Sequence, residues 1–262
     1  MSDYVFVRKS RNALSSILHI LFNFALGVSS IALTIITGSP LLGILLVILS
    51  KWRIFAVRPR YWFLNIKSNL VDLIVGLSFV FIAYSAGTAL LPVHVILAVL
   101  YVLWLIVLKP QSSERAAEWQ ALTAIFFGTT ANMLIFSNAE AIFPVLISFI
   151  IGYGAARHII VQSDDHDFTL ITLTCGLIFA EITWICQSWS IIYSLNATST
   201  GIVIPQASII LTVFAFAFTR LYHSISKNDG RLKRSEIALP TIFSIIIIAM
   251  VVIWFSVPTF NV

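Results

Sequence analysis

A chain of 262 residues with 59% hydrophobic and only 10% charged side chains departs far from a soluble domain, in which about a quarter of residues are charged. The composition implies an integral membrane protein and excludes a sizeable water-soluble domain, because apolar segments fill nearly the whole length. The net charge of +5 is expected to meet anionic lipid head groups, and nothing in the chain supports a nucleic-acid partner.

A helix needs about 20 mostly apolar residues to cross the hydrocarbon core. The first such run covers residues 14–36, after Arg8, Lys9 and Arg11. It is too long for the core of a cleaved signal and reads as a retained anchor. His19 and Asn23 fall one turn apart on it; a proton relay is the sharper reading, and hydrogen bonding between helices the expected one. In the next segment, 40–57, the apolar part stops at Leu49 and Lys51 and Arg53 follow. Either it crosses, with the two cations reaching back to the head groups, or it dips in and returns on the same side. Residues 51–67 interleave five cations with Trp52, Phe55, Tyr61, Trp62 and Phe63, the pattern of a basic aromatic interfacial loop. Arg58 and Arg60 are its candidate contacts to lipid phosphate. Seven further apolar runs follow, at 69–88, 90–108, 118–136, 140–160, 168–188, 202–222 and 237–257.

Loops that stay in the cytoplasm collect Lys and Arg. If 40–57 crosses, all sixteen cations of the chain share one side; if it does not, Arg8, Lys9 and Arg11 oppose the other thirteen. The first option predicts an all-α, polytopic membrane protein of about nine transmembrane helices. Its amino terminus is cytoplasmic, its carboxyl terminus outside, and residues 1–262 form one transmembrane helical domain with short loops. A bacterial cytoplasmic membrane is the expected setting.

Several features predict close helix packing. Small residues recur at Ala117, Ala121, Ala124 and Gly128, at Gly152, Gly154, Ala155 and Ala156, and at Thr172, Gly176 and Ala180, as on helix contact faces in lipid. Such faces also allow a protein partner to pack. The prolines fall near helix ends or in loops, and no internal repeat is evident, so the interrupted mid-membrane helices common in transporters are not signalled.

Among the acids, Asp72, Glu140, Asp167 and Glu236 lie where helices begin, and the helix dipole is a sufficient reason for them. Glu181 lacks that reason. It sits about 20 Å along its helix, where insertion of a carboxylate costs about 2.5–3.5 kcal/mol. It is a functional candidate, the alternative being a protonated Glu bonded between helices. Thr174, Glu181 and Ser188 repeat every seven residues and form one polar face. Tyr84, His94, Asn132 and Gln206 fall at comparable depth on other helices, so a polar cavity in the outer half, centred on Glu181, is the predicted site. The cluster Asp164, Asp165, His166 offers weak metal ligands; its spacing matches no metal motif, and a solvated loop capping the next helix is expected. No Gly-rich phosphate loop, HExxH pair or G-x-S-x-G elbow occurs, so no catalytic residue and no cofactor is assigned.

Three functions are compatible with these residues. A small-solute or lipid permease would use the outer cavity, and the cost of burying Glu181 favours it. A structural or accessory subunit of a membrane complex would use the packing faces. A membrane enzyme acting on a phosphorylated lipid would use the basic and acidic loops.

Overall fold

The apolar runs of the sequence are helical over most of their described residues, but they differ in how they would meet a bilayer. The computed structural model describes residues 2–87, 91–160, 168–188, 191–195, 202–228 and 230–254, with side chains described from Ser15 onward. Arg8, Lys9 and Arg11, like Asp164, Asp165 and His166, lie outside the described side chains. Six described helices are long and apolar enough to cross: the part of α1 (Ser2–Thr37) from Ser15 onward; α6 (Leu91–Leu103) with the π-helical turn Trp104–Leu108; α8 (Ile142–Ile160); α9 (Phe168–Ser188); α10 (Gln206–Lys227); and α11 (Arg234–Ala249) with its π-helical extension. The segment Pro59–Ser68, containing α4 (Trp62–Ser68), meets α5 (Leu70–Ser85) at 69° and the pair would make a seventh span.

Two of the nine expected crossings, α2 and α7, are not among these seven, each for a physical reason. The helix α2 (Leu41–Leu49) has nine residues, and nine residues rise only about 13 Å. It ends at Ser50 and Lys51, and the chain continues as the four-residue α3 (Trp52–Phe55). By contrast α7 (Glu114–Ile135) has the length, at 22 residues, but carries Glu118, Gln120 and Asn132. It can carry them because it packs against α5, α8 and α10, and buried residues run along it from Ala116 to Met133. A helix walled by protein needs little apolar surface of its own.

Contacts between helix ends order the bundle. Asp72 at the start of α5 meets Trp104 and Lys109 at the end of α6. Gln120 near the start of α7 meets the end of α6 at Leu108 and the end of α8 at His158. Arg157 lies 5.1 Å over the ring of Phe168, where α9 begins. Arg220 of α10 reaches Glu118, and Asn228 reaches Glu236 of α11. Lys51, Lys109, Arg157, Arg220 and Lys227 therefore gather at one end of an antiparallel bundle. The opposite end has its own ties, including Asn132 to Pro144 and Gln206 to Val251.

One element departs from the helical expectation. Residues 202–205 form a strand, β2 (Ile202–Pro205), paired antiparallel with β1 (Ile192–Leu195), Tyr193 facing Ile204 and Ile192 facing Pro205. The β-branched run Ile202, Val203, Ile204 favours extended backbone. Pro205 then disfavours helix for the residue before it, so α10 begins only at Gln206, whose amide donates to the Ile191 carbonyl at 2.9 Å.

The core centres on α5. Phe79 stacks on Tyr101 of α6 at 5.1 Å and tilts against Phe127 of α7 at 4.6 Å. The small-residue ridges are buried at helix interfaces: a Cβ on Gly152 would stand 2.5 Å from the Phe179 ring, and one on Gly176 would stand 3.0 Å from the Phe149 carbonyl. The α1–α2 hairpin is as tight. It turns at Gly38, whose φ of 59° suits glycine, and a Cβ on Gly43 would lie 2.8 Å from the Ser30 carbonyl oxygen. Backbone cannot yield as a side-chain tip does. Gly43→Ala should therefore separate α1 from α2 and destabilise the solubilised protein by about 1–3 kcal/mol, read as a lowered melting temperature.

Candidate functional site

Asp72 is the hub of a partly buried charged group that spans three helices. The break after α2 brings Lys51 inward to 8% exposure, and its ammonium pairs with Asp72 Oδ2. The end of α6 supplies the rest. Its last turn is π-helical, with the Lys109 amide bonded back to Trp104 O, and Lys109 Nζ lies 2.8 Å from the same Oδ2. The Trp104 indole donates to Oδ1 at 3.2 Å. Both carboxylate oxygens are thus used, and the two ammonium groups share one negative charge. Burial holds the Lys109 ammonium below its ordinary value, the direction expected of a charge incompletely balanced in low dielectric.

This group forms part of the wall of a cavity of about 580 Å³ that is also lined by His19, Asn23, Arg53, Asn65 and Asn69. The Asn23 amide lies 3.1 Å from His19 Nδ1, one turn along α1, so this bond forms within one helix rather than between helices as expected, and both residues line this space. With Lys51, Arg53 and Lys109 against Asp72 alone, the lining is positively charged. An arrangement of this kind holds an anion: Lys supplies compact point charges, and Arg a planar pair of donors.

A second polar cavity, of about 510 Å³, opens at the same end between α7 and α10. Glu118 is 5% exposed and its Oε1 lies 3.2 Å from Arg220 Nη2; Glu114, Arg115, His223 and Lys227 complete a lining of mixed charge. The loop between α6 and α7 is clamped by Gln120. Its Nε2 donates to Leu108 O at 2.7 Å and Gln111 O at 3.0 Å. That leaves Oε1 as an acceptor, so His158 Nε2, 2.7 Å away, carries the proton.

The five residues of the predicted outer cavity are placed separately. His94 is buried and its Nε2 donates to Ala83 O at 3.0 Å. Asn132 is buried and donates to Pro144 O at 2.8 Å and Ser148 Oγ at 3.0 Å. Gln206 donates to Val251 O at 2.9 Å. Tyr84 is exposed, and Glu181 is exposed with Thr174 and Ser188 on the outer face of α9, beside Leu177 and Trp184. Asn132 borders an apolar cleft with Phe81 and Ile147, while Gln206 borders a different and much smaller one near Gln187.

In the basic aromatic loop, Arg58 and Arg60 are exposed. Arg60 stacks on the Tyr61 ring at 4.6 Å, Lys67 lies 4.2 Å over Phe63, and the Trp62 indole donates to Val57 O at 2.9 Å. The metal candidates Asp164, Asp165 and His166 lie outside the described residues; no group of three or more metal-ligating side chains occurs among the described ones.

The residue that sequence reasoning passed over is Asp72. It does sit in the first turn of α5, as expected of a helix-dipole carboxylate, but Asn69 makes no side-chain cap there and the carboxylate is spent on Lys51, Lys109 and Trp104. One sequence signal was available: Lys109 follows immediately on an apolar run and Lys51 comes one residue after the end of another. No protein-family model, curated protein or solved structure matches the chain.

Proposed function

We propose that the protein is a permease for a small anionic solute or an anionic lipid, crossing the membrane nine times with its amino terminus in the cytoplasm. Its ligand site is the cavity at the cation-rich end rather than one in the outer half. The observation that carries this reading is the pairing of two lysines with the single carboxylate of Asp72 on a cavity of about 580 Å³. The gathering of cations at one end of the bundle supports the orientation, and we place the protein in a bacterial cytoplasmic membrane.

A permease must open its site to both sides in turn. With Cys175 and Cys186 replaced by Ser, Asn23→Cys in vesicles of known orientation should be labelled by an impermeant maleimide from the cytoplasmic side. It should also be labelled, more slowly, from the outside. Labelling from the cytoplasmic side alone, under every ionic condition, would overturn transport and leave a binding or accessory role.

Glu181 favours a second reading, an accessory subunit of a membrane complex. A carboxyl group on the outer face of α9 is costly against lipid and is satisfied by a partner helix carrying a donor at the same depth. Glu181→Leu should then abolish co-purification of that partner while leaving the melting temperature of the isolated chain unchanged.

A further inference from the structure

We infer that the cavity beside Asp72 binds a phosphate group, and that this phosphate is the head group of an anionic lipid entering from the side of the bundle. The inference rests on the placement of the ligand site proposed above, but not on transport.

Three observations lead to phosphate. The first is charge. Lys51, Arg53 and Lys109 face a single acid, Asp72, on this cavity, so a bound monoanion or dianion brings the group toward neutrality. Opposite charges attract more strongly where protein partly replaces water, which favours an anion there. The second is the number of donors. A carboxylate ligand would repeat what Asp72 already does with two oxygens. Phosphate has three or more acceptor oxygens, and so can meet the Lys109 ammonium, the Arg53 guanidinium and the Asn23 or Asn65 amide together. Asp72 keeps its place in this scheme by holding the two ammonium groups side by side.

The third observation is the rim. Phe22 and Trp52 also border the cavity, and they are 70% and 60% exposed on the outside of the bundle. Beyond Phe22, toward the middle of the membrane, the outer face of α1 continues with Phe24 and Val28, both exposed. The cavity therefore opens sideways onto apolar surface, at a helix end where cations and aromatic rings gather. A lipid can set its phosphate inside while its acyl chains run along α1, and an indole at the entrance suits the head-group level. A free phosphate ion would make no use of that apolar rim.

The test uses the full chain in nanodiscs of phosphatidylcholine, read by melting temperature. Adding phosphatidic acid or phosphatidylglycerol should raise it. Lys109→Gln and Arg53→Gln should each weaken the apparent affinity by about tenfold or more. Both variants should fold, since Lys51 still neutralises Asp72 in the first and Arg53 is exposed in the second. Arg58→Gln with Arg60→Gln should change it by less than threefold. Inorganic phosphate is titrated in parallel against chloride at equal ionic strength. Stabilisation by phosphate equal to that by the lipid would keep the phosphate site and overturn the lipid as its source. No stabilisation by either, or loss that follows Arg58 and Arg60 instead of Lys109 and Arg53, would overturn the site itself. Because the readout is binding, a protein that passes this test and fails the labelling test binds phosphate without being a permease.

Discussion

Asp72→Asn should destabilise the protein more than any other single polar substitution, by about 3 kcal/mol, the lower end of the range for breaking a buried ion pair. The lower end applies because Lys109, at 37% exposure, retains some water while Lys51, at 8%, retains little. The substitution preserves shape and leaves a hydrogen-bond acceptor for the Trp104 indole, so the loss is mainly that of the charge holding two ammonium groups together. The compensating change is specific. Lys51→Met alone should cost less, since Asp72 keeps Lys109, and adding it to Asp72→Asn should recover part of the loss because one of the two stranded charges is gone. Thermal unfolding of the four proteins in one detergent gives the coupling directly. Strict additivity would show that Asp72 matters for another reason.

Phe79→Ala should cost about 3 kcal/mol. In a membrane the usual transfer contribution largely disappears, since lipid tails are as apolar as the helix interface. What remains is the cavity and the lost contacts to the Tyr101 and Phe127 rings. Phe79 is 1% exposed between α5, α6 and α7, and three packed helices cannot close onto an alanine without moving the ends that hold Asp72 and Lys109. Phe79→Leu should lose much less. Equal losses for the two variants, in melting temperature, would show that the aromatic contacts are not the centre of the core.

The helices themselves could be read from the sequence because a crossing is a local property: length and apolarity suffice. The relative polarity of α7 was equally visible, and its meaning emerges once α5, α8 and α10 surround it. What could not be read locally was which helix faces which. Thr174, Glu181 and Ser188 identify one face of α9 by their spacing, but periodicity does not say whether that face looks inward or outward, and in lipid the usual rule that polar faces outward gives no help. It looks outward. Asp72 failed for a related reason: a first-turn carboxylate has an adequate local explanation, and its partners Lys51 and Lys109 are 21 and 37 residues away in the chain. The strand pair at residues 192–205 was hidden because Ile202, Val203 and Ile204 satisfy a hydropathy reading of helix as well as they satisfy a strand.

The account turns on the cation-rich end being cytoplasmic, since the anion cavity, the basic aromatic loop and the α6–α7 clamp all lie there. The most direct measurement is sided labelling of single cysteines in intact cells, with Cys175 and Cys186 replaced by Ser. An impermeant reagent added outside should reach Thr198→Cys and should reach Ser112→Cys and Ser226→Cys only after the membrane is permeabilised. Labelling of the cysteine at position 112 or 226 in intact cells would reverse the orientation and contradict a cytoplasmic ligand site.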